Sequence, residues 1–217
     1  IFRVFLQKSG LMQQYFLDWG NFFNFASTMT IDEDIREACT VLARGGVILY
    51  PTDTVWGIGC DATRSDAVKR VFGIKRRADS KAMITLVDDE ARLERYVDNV
   101  PDAARDIIEL SDRPVTIVYD HGRGLAPELL ADDGSVGIRV TREAFSRRLC
   151  RAFRRPIVST SANISGEPTA AVFDDISPEI KGAVDYIVET RRDDTSRATP
   201  SSVIKLSDDG TVKILRK

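Results

Sequence analysis

The chain has 217 residues, 43% of them apolar and 29% charged, with a net charge of −2. That length and balance suit an ordinary globular protein with one good core, and they argue against a surface given over entirely to gripping nucleic acid. The three cysteines, Cys39, Cys60 and Cys150, stand far apart without metal spacing and read as reduced thiols of a cytosolic protein. The single histidine, His121, sits in a turn-like Asp-His-Gly-Arg-Gly stretch, which argues against a Ser-His-Asp triad or a His-rich metal site.

Residues 1–28 differ in composition from the rest of the chain. They hold Phe2, Phe5, Tyr15, Phe16, Trp19, Phe22, Phe23 and Phe25, nearly half of the aromatics, and one acidic residue, Asp18. No uninterrupted apolar region or small-residue cleavage site marks a signal peptide. These residues read as an extension outside a functional domain spanning 29–217. Thr30 and Glu33 form a capping-box pair, Ile31, Ile35, Ala38 and Leu42 a helical stripe, and Gly45-Gly46 a stop.

Residues 46–60 are the stretch around which the chain is organised. Val47-Ile48-Leu49-Tyr50 reads as a strand buried on both faces, and Pro51 ends it for want of an N–H. Thr52, Asp53 and Thr54 come next at the strand's carboxyl end, where ligands bind in open α/β sheets. The same residues would equally serve a turn into a second strand, with the threonines capping local amides. A helix is expected over 64–74, carrying Ala67, Val68, Val71 and Phe72, then the basic loop Lys75-Arg76-Arg77-Ala78-Asp79-Ser80-Lys81. Such a loop is either a solvated face or a cluster that an anion neutralises.

A buried strand over 83–87 is followed by helices near 88–97 and 101–111, strands at 115–119 and 136–140, and a basic helix over 142–154. The strand at 156–159 leads into Ser159-Thr160-Ser161-Ala162-Asn163, a run of side chains able to hold either turn amides or a carboxylate, phosphate or ribose. A short helix near 174–181 precedes strands at 185–189, 201–206 and 211–216. The last two are joined by Ser207-Asp208-Asp209-Gly210, a hairpin signal. Alternating early elements and late hairpins predict one α/β domain on a twisted mixed sheet. Neither GxxxxGK[ST] nor GxGxxG occurs, so a bound nucleotide is not held by either loop.

Tyr50-Pro51-Thr52-Asp53-Thr54, Lys75-x-Arg77, Arg139-Val140, Ser159-Thr160-Ser161-Ala162-Asn163 and Pro200-Ser201 occur in the order and spacing of the YrdC-type threonylcarbamoyl-AMP synthases. The chain resembles the short, single-domain form of that family over about residues 30–217. The resemblance implies an α/β fold with an open, positively lined groove. It implies an enzyme that joins L-threonine, bicarbonate (or CO2) and ATP into threonylcarbamoyl-adenylate, releases pyrophosphate, and hands the adenylate to a separate transferase that modifies tRNA beside the anticodon. Lys75 and Arg77 would be catalytic. Thr52, Lys81, Thr116, Arg139, Ser159, Ser161, Asn163, Arg197 and Ser201 would surround the threonine and the phosphates. Mg2+ would arrive with ATP, without a dedicated protein cage. Ala78 replaces a proline usual in the family, and Asp112-Arg113-Pro114 replaces Pro-Gly-Pro, both departures in loop shape.

The alternative is a nucleic-acid-binding module using Lys75, Arg76, Arg77 and the arginines at 147, 148, 151, 154 and 155 as phosphate contacts. Such a module calls for stacking aromatics, which are concentrated before Met29. The enzyme calls for hydroxyls and an amide converging on cations, and these are present.

Overall fold

The first helix among the described residues, α1 (Ile31–Ala43), buries Ile35, Ala38 and Leu42 as its periodicity requires, but Ile31 is 44% exposed. A polar residue is buried instead. Asp34 is closed to solvent, and its carboxylate accepts hydrogen bonds from the Tyr186 hydroxyl (2.6 Å), the Glu189 and Thr190 amides, and the Thr190 hydroxyl. The computed structural model describes residues 29–76, 83–196 and 200–216. The chain divides after Thr30, and the fold is that of the compact unit Ile31–Lys217. The aromatic stretch expected to be an extension lies outside the described residues.

Strand β1 (Ile48–Tyr50) is fully buried and pairs antiparallel with β2 (Gly57–Gly59) across the 51–56 turn. A side chain at Gly59 would sit 2.6 Å from the Tyr50 ring and 2.7 Å from the Val158 carbonyl, so close approach of strands demands glycine there. Helix α2 (Ser65–Ile74) buries the four expected apolar residues. After β3 (Ile84–Val87), the helix expected near 88–97 is a single turn, α3 (Glu90–Leu93), because the chain is drawn into a bridge between Val97 and Gly122. Helix α4 (Asp102–Leu110) follows Pro101, then come β4 (Val115–Tyr119) and β5 (Val136–Val140). The carboxylate of Glu143 caps α5 (Ala144–Phe153) by accepting from the Phe145 and Ser146 amides. Strand β6 (Ile157–Ser161) runs two residues further than expected, through Thr160 and Ser161. Helix α6 (Pro178–Ala183), β7 (Tyr186–Ile187), β8 (Ser202–Leu206) and β9 (Val212–Arg216) complete the order.

The described strands form one nine-stranded sheet in the order β7-β1-β2-β6-β3-β5-β4-β8-β9. The β1/β7, β3/β5 and β4/β8 pairs are parallel and the remaining five antiparallel, as a mixed α/β sheet requires. Period-two alternation then sorts side chains by face. Ile117 and Tyr119, Val136 and Ile138, Ile204 and Leu206 join a core with Leu93, Ala104 and Ile108 of the helices. Their neighbours Thr116, Val118, Gly137, Arg139 and Val203 line a cavity on the opposite face. A second core packs α1, α2 and α5 on β1, β2 and β6. Among the described residues no helix is long and apolar enough to cross a membrane.

Candidate active site

The cavity encloses about 380 Å3 and brings together residues far apart in sequence: Thr52, Thr116, Arg139, Ser159, Ser161 and Ser201. Six of the expected site residues therefore meet on one wall, supplied by the turn after β1 and by β4, β5, β6 and the start of β8. Thr116 and Ser201 are buried with their hydroxyls 3.1 Å apart. Thr52 Oγ1 donates to the Val55 carbonyl (2.7 Å) and accepts from the Thr54 amide (3.1 Å), so this threonine shapes the turn as well as lining the cavity. Arg139 is the wall's most buried charge. Burial pushes its guanidinium below the usual arginine value, against the field of Asp53.

Two expected residues point elsewhere. Lys75 is buried, and its ammonium donates to the Ser161 carbonyl (2.5 Å) and the Asn163 carbonyl (2.7 Å) rather than lining the cavity. The two short signatures thus meet directly, lysine of one against main chain of the other. The Lys75 carbonyl also accepts from the Ser165 amide (2.9 Å), so the lysine is joined to the 161–165 turn at both ends. Asn163 closes the same turn, donating from Nδ2 to the carbonyls of Ile164 (3.0 Å) and Glu167 (2.7 Å), while its Oδ1 is buried without a hydrogen bond. Arg77, Lys81 and Arg197 lie outside the described residues.

One cation on the wall belongs to none of the sequence motifs. Arg216 of β9 donates to the Ser201 carbonyl (2.9 Å from Nη2) and hydroxyl, and lines the cavity beside Arg139. Strand alternation alone does not announce it: a bulge shifts the register between Val203 and Ile204, pairing Arg216 with Val203 while Ile214 pairs with Ile204. Arg139 and Arg216 are the cavity's cations among the described residues, and no carboxylate of those residues lines it. The described residues contain no group of three or more His, Cys, Asp and Glu side chains able to cage a metal.

A helix-backed mixed sheet whose open face carries a cavity of hydroxyls and buried arginine defines an α/β protein suited to a small anionic ligand. The chain belongs to the Sua5/YciO/YrdC family, described as telomere recombination, which matches residues 40–217. It is 35% identical to the threonylcarbamoyl-AMP synthase of Pseudoalteromonas translucida over 74% of this chain and 88% of that one, and 35% identical to that of Hahella chejuensis over 84% and 97%. Among solved structures it resembles P. abyssi Sua5 complexed with L-threonine, with a TM-score of 0.69 and 27% identity over 79% of this chain, although it spans about half of that longer protein. E. coli YciO is similar, with a TM-score of 0.71 and 25% identity over 84% of this chain and 88% of that one.

Proposed function

We propose that the chain is an L-threonylcarbamoyladenylate synthase, condensing L-threonine, bicarbonate or CO2 and ATP to threonylcarbamoyl-AMP with release of pyrophosphate. The observation that carries this reading is the convergence of the five expected hydroxyl side chains and Arg139 in one cavity, in a chain whose relatives are threonylcarbamoyl-AMP synthases. Carbamate and triphosphate are both anionic and repel by about 4 kcal/mol at ~4 Å in an effective dielectric of ~20. Cations must offset that repulsion. Arg139, at the buried base, suits the single carboxylate of an amino acid. Arg216, with Arg77, Lys81 and Arg197 by family resemblance, suits the phosphates.

Neutral hydroxyls add direction without charge. The Thr116–Ser201 pair and Ser159 can hydrogen-bond the substrate's hydroxyl, and an analogue lacking it would leave buried partners unsatisfied. Lys75 and Asn163 act on the same chemistry by fixing the Ser161 turn. Mg2+ enters as part of the nucleotide substrate. The adenylate would pass in the cytoplasm to a separate transferase acting on tRNA, a setting with which the free cysteines agree.

The test is pyrophosphate release from ATP with threonine and bicarbonate each omitted in turn. Release that needs all three supports the reading. Release independent of threonine, or dependent on RNA, overturns it.

A further inference from the structure

Arg139 and Asp53 form a charge pair that is nearly closed to solvent yet not hydrogen-bonded. Their side chains are 2% and 11% exposed, and Nη1 of the arginine lies 3.3 Å from Oδ1 of the aspartate. Nevertheless Nε and Nη1 of Arg139 and Oδ1 of Asp53 are all buried without a hydrogen-bond partner. Open donors on a buried guanidinium are costly, and a site that keeps them is shaped for something that completes them.

The surroundings limit what holds the guanidinium in place. Asp53 is the carboxylate that favours the charged arginine and Arg216 opposes it, while burial keeps the Tyr50 phenol neutral. Asp53 in turn faces Arg139, Glu143 and the Thr141 hydroxyl. It does not line the hydroxyl cavity. It lines a second space of about 380 Å3 on the far side of Thr52, whereas Arg139 lines the first. The carboxylate therefore reaches the guanidinium from behind the wall.

We infer that Asp53 is a positioning residue, holding Arg139 with its donors free for the carboxylate of the amino-acid substrate, an inference that rests on the function proposed above. A bidentate hydrogen-bonded fork between the two would occupy the donors that the substrate needs. A bare charge contact compensates the arginine without competing for them. Burial raises the Asp53 carboxyl above its usual value while Arg139 pulls it back, in keeping with mutual compensation.

The experiment is a double-mutant cycle on threonine affinity, measured by calorimetry, with ATP affinity as the internal reference. Asp53→Asn should weaken threonine binding by about 10–100-fold, the order seen when an outer partner that orients a ligand-binding group is lost, and leave ATP binding within about threefold. In an Arg139→Gln background the same substitution should have no further effect on threonine. Equal losses in both backgrounds, an unchanged threonine affinity, or matching losses for threonine and ATP would overturn the inference. Should Asp53→Asn fail to fold, the double variant Asp53→Asn/Arg139→Gln should fold again, because both charges are gone; its failure counts against the pairing. If the wild-type chain bound no threonine, the amino-acid reading would fall by itself. The pairing would then be read in melting temperatures, where strictly additive effects of the two substitutions would refute it.

Discussion

Lys75 shows how a charged residue can shape a site through the main chain that it holds. A buried ammonium that satisfies two carbonyls contributes about 1.5–3 kcal/mol per charge-assisted bond. Lys75→Met keeps the bulk and removes the donors from Ser161 and Asn163. It should lower stability by about 2–4 kcal/mol and depress pyrophosphate release together with it, read by urea denaturation and by turnover. Arg76→Ala, which loses an exposed ion pair to Glu179, should change stability by less than about 1 kcal/mol and turnover little. If turnover fell in the lysine variant with stability intact, the ammonium would be acting on the substrate. The sequence shows that residues 159–163 carry hydrogen-bonding groups at the end of a strand, and three of them line the cavity, so its location is legible. It does not show which groups turn inward. Asn163 is polar in either role, and the direction of its amide is fixed by Ile164 and Glu167 carbonyls that come into place only when the turn folds.

At the scale of elements, α1 is tied to the segment after β7 by one carboxylate. Removing it in Asp34→Ala leaves the Glu189 and Thr190 amides without their acceptor. The expected loss is about 3 kcal/mol, the order for buried hydrogen bonds to a charged group, or roughly 6–12 °C in melting temperature for a domain of this size. Calorimetric scans of the two proteins check it. Helix α5 makes the opposite case. Arg148 pairs with Asp32 and Arg155 with Asp61, and none of the arginines at 147, 148, 151, 154 and 155 lines the cavity. Reversing Arg147 and Arg148 to glutamate should therefore leave threonine-dependent pyrophosphate release within about twofold, since exposed pairs are worth little. Most elements can be read from apolar periodicity, as α2, β4, β5 and the β8–β9 hairpin show. Pairing order cannot, because period two gives a strand's faces but not its neighbours. The burial of Asp34 is hidden for a related reason, its partners being at residues 186–190.

At the scale of the molecule, the family match begins at residue 40 and the described fold at α1. A chain started at Met29 should keep its fold and its turnover, measured by circular dichroism and pyrophosphate release. Loss of turnover with the fold intact would give residues 1–28 a part in catalysis.

The strand order also sets when the cavity can exist during synthesis. Strand β4 lies between β5 and β8, and its pairing Tyr119↔Leu206 is made only after the whole β5–β7 region has been translated. At ~5–20 residues per second, the edge of β4 waits roughly 4–17 s for β8. Late in that interval Arg139 and Ser159 are already joined to the chain, but Ser201 and Arg216 are not. The cavity is thus incomplete in any half-made chain, whose unpaired β4 is an open, apolar-backed sheet edge of the kind that chaperones cover.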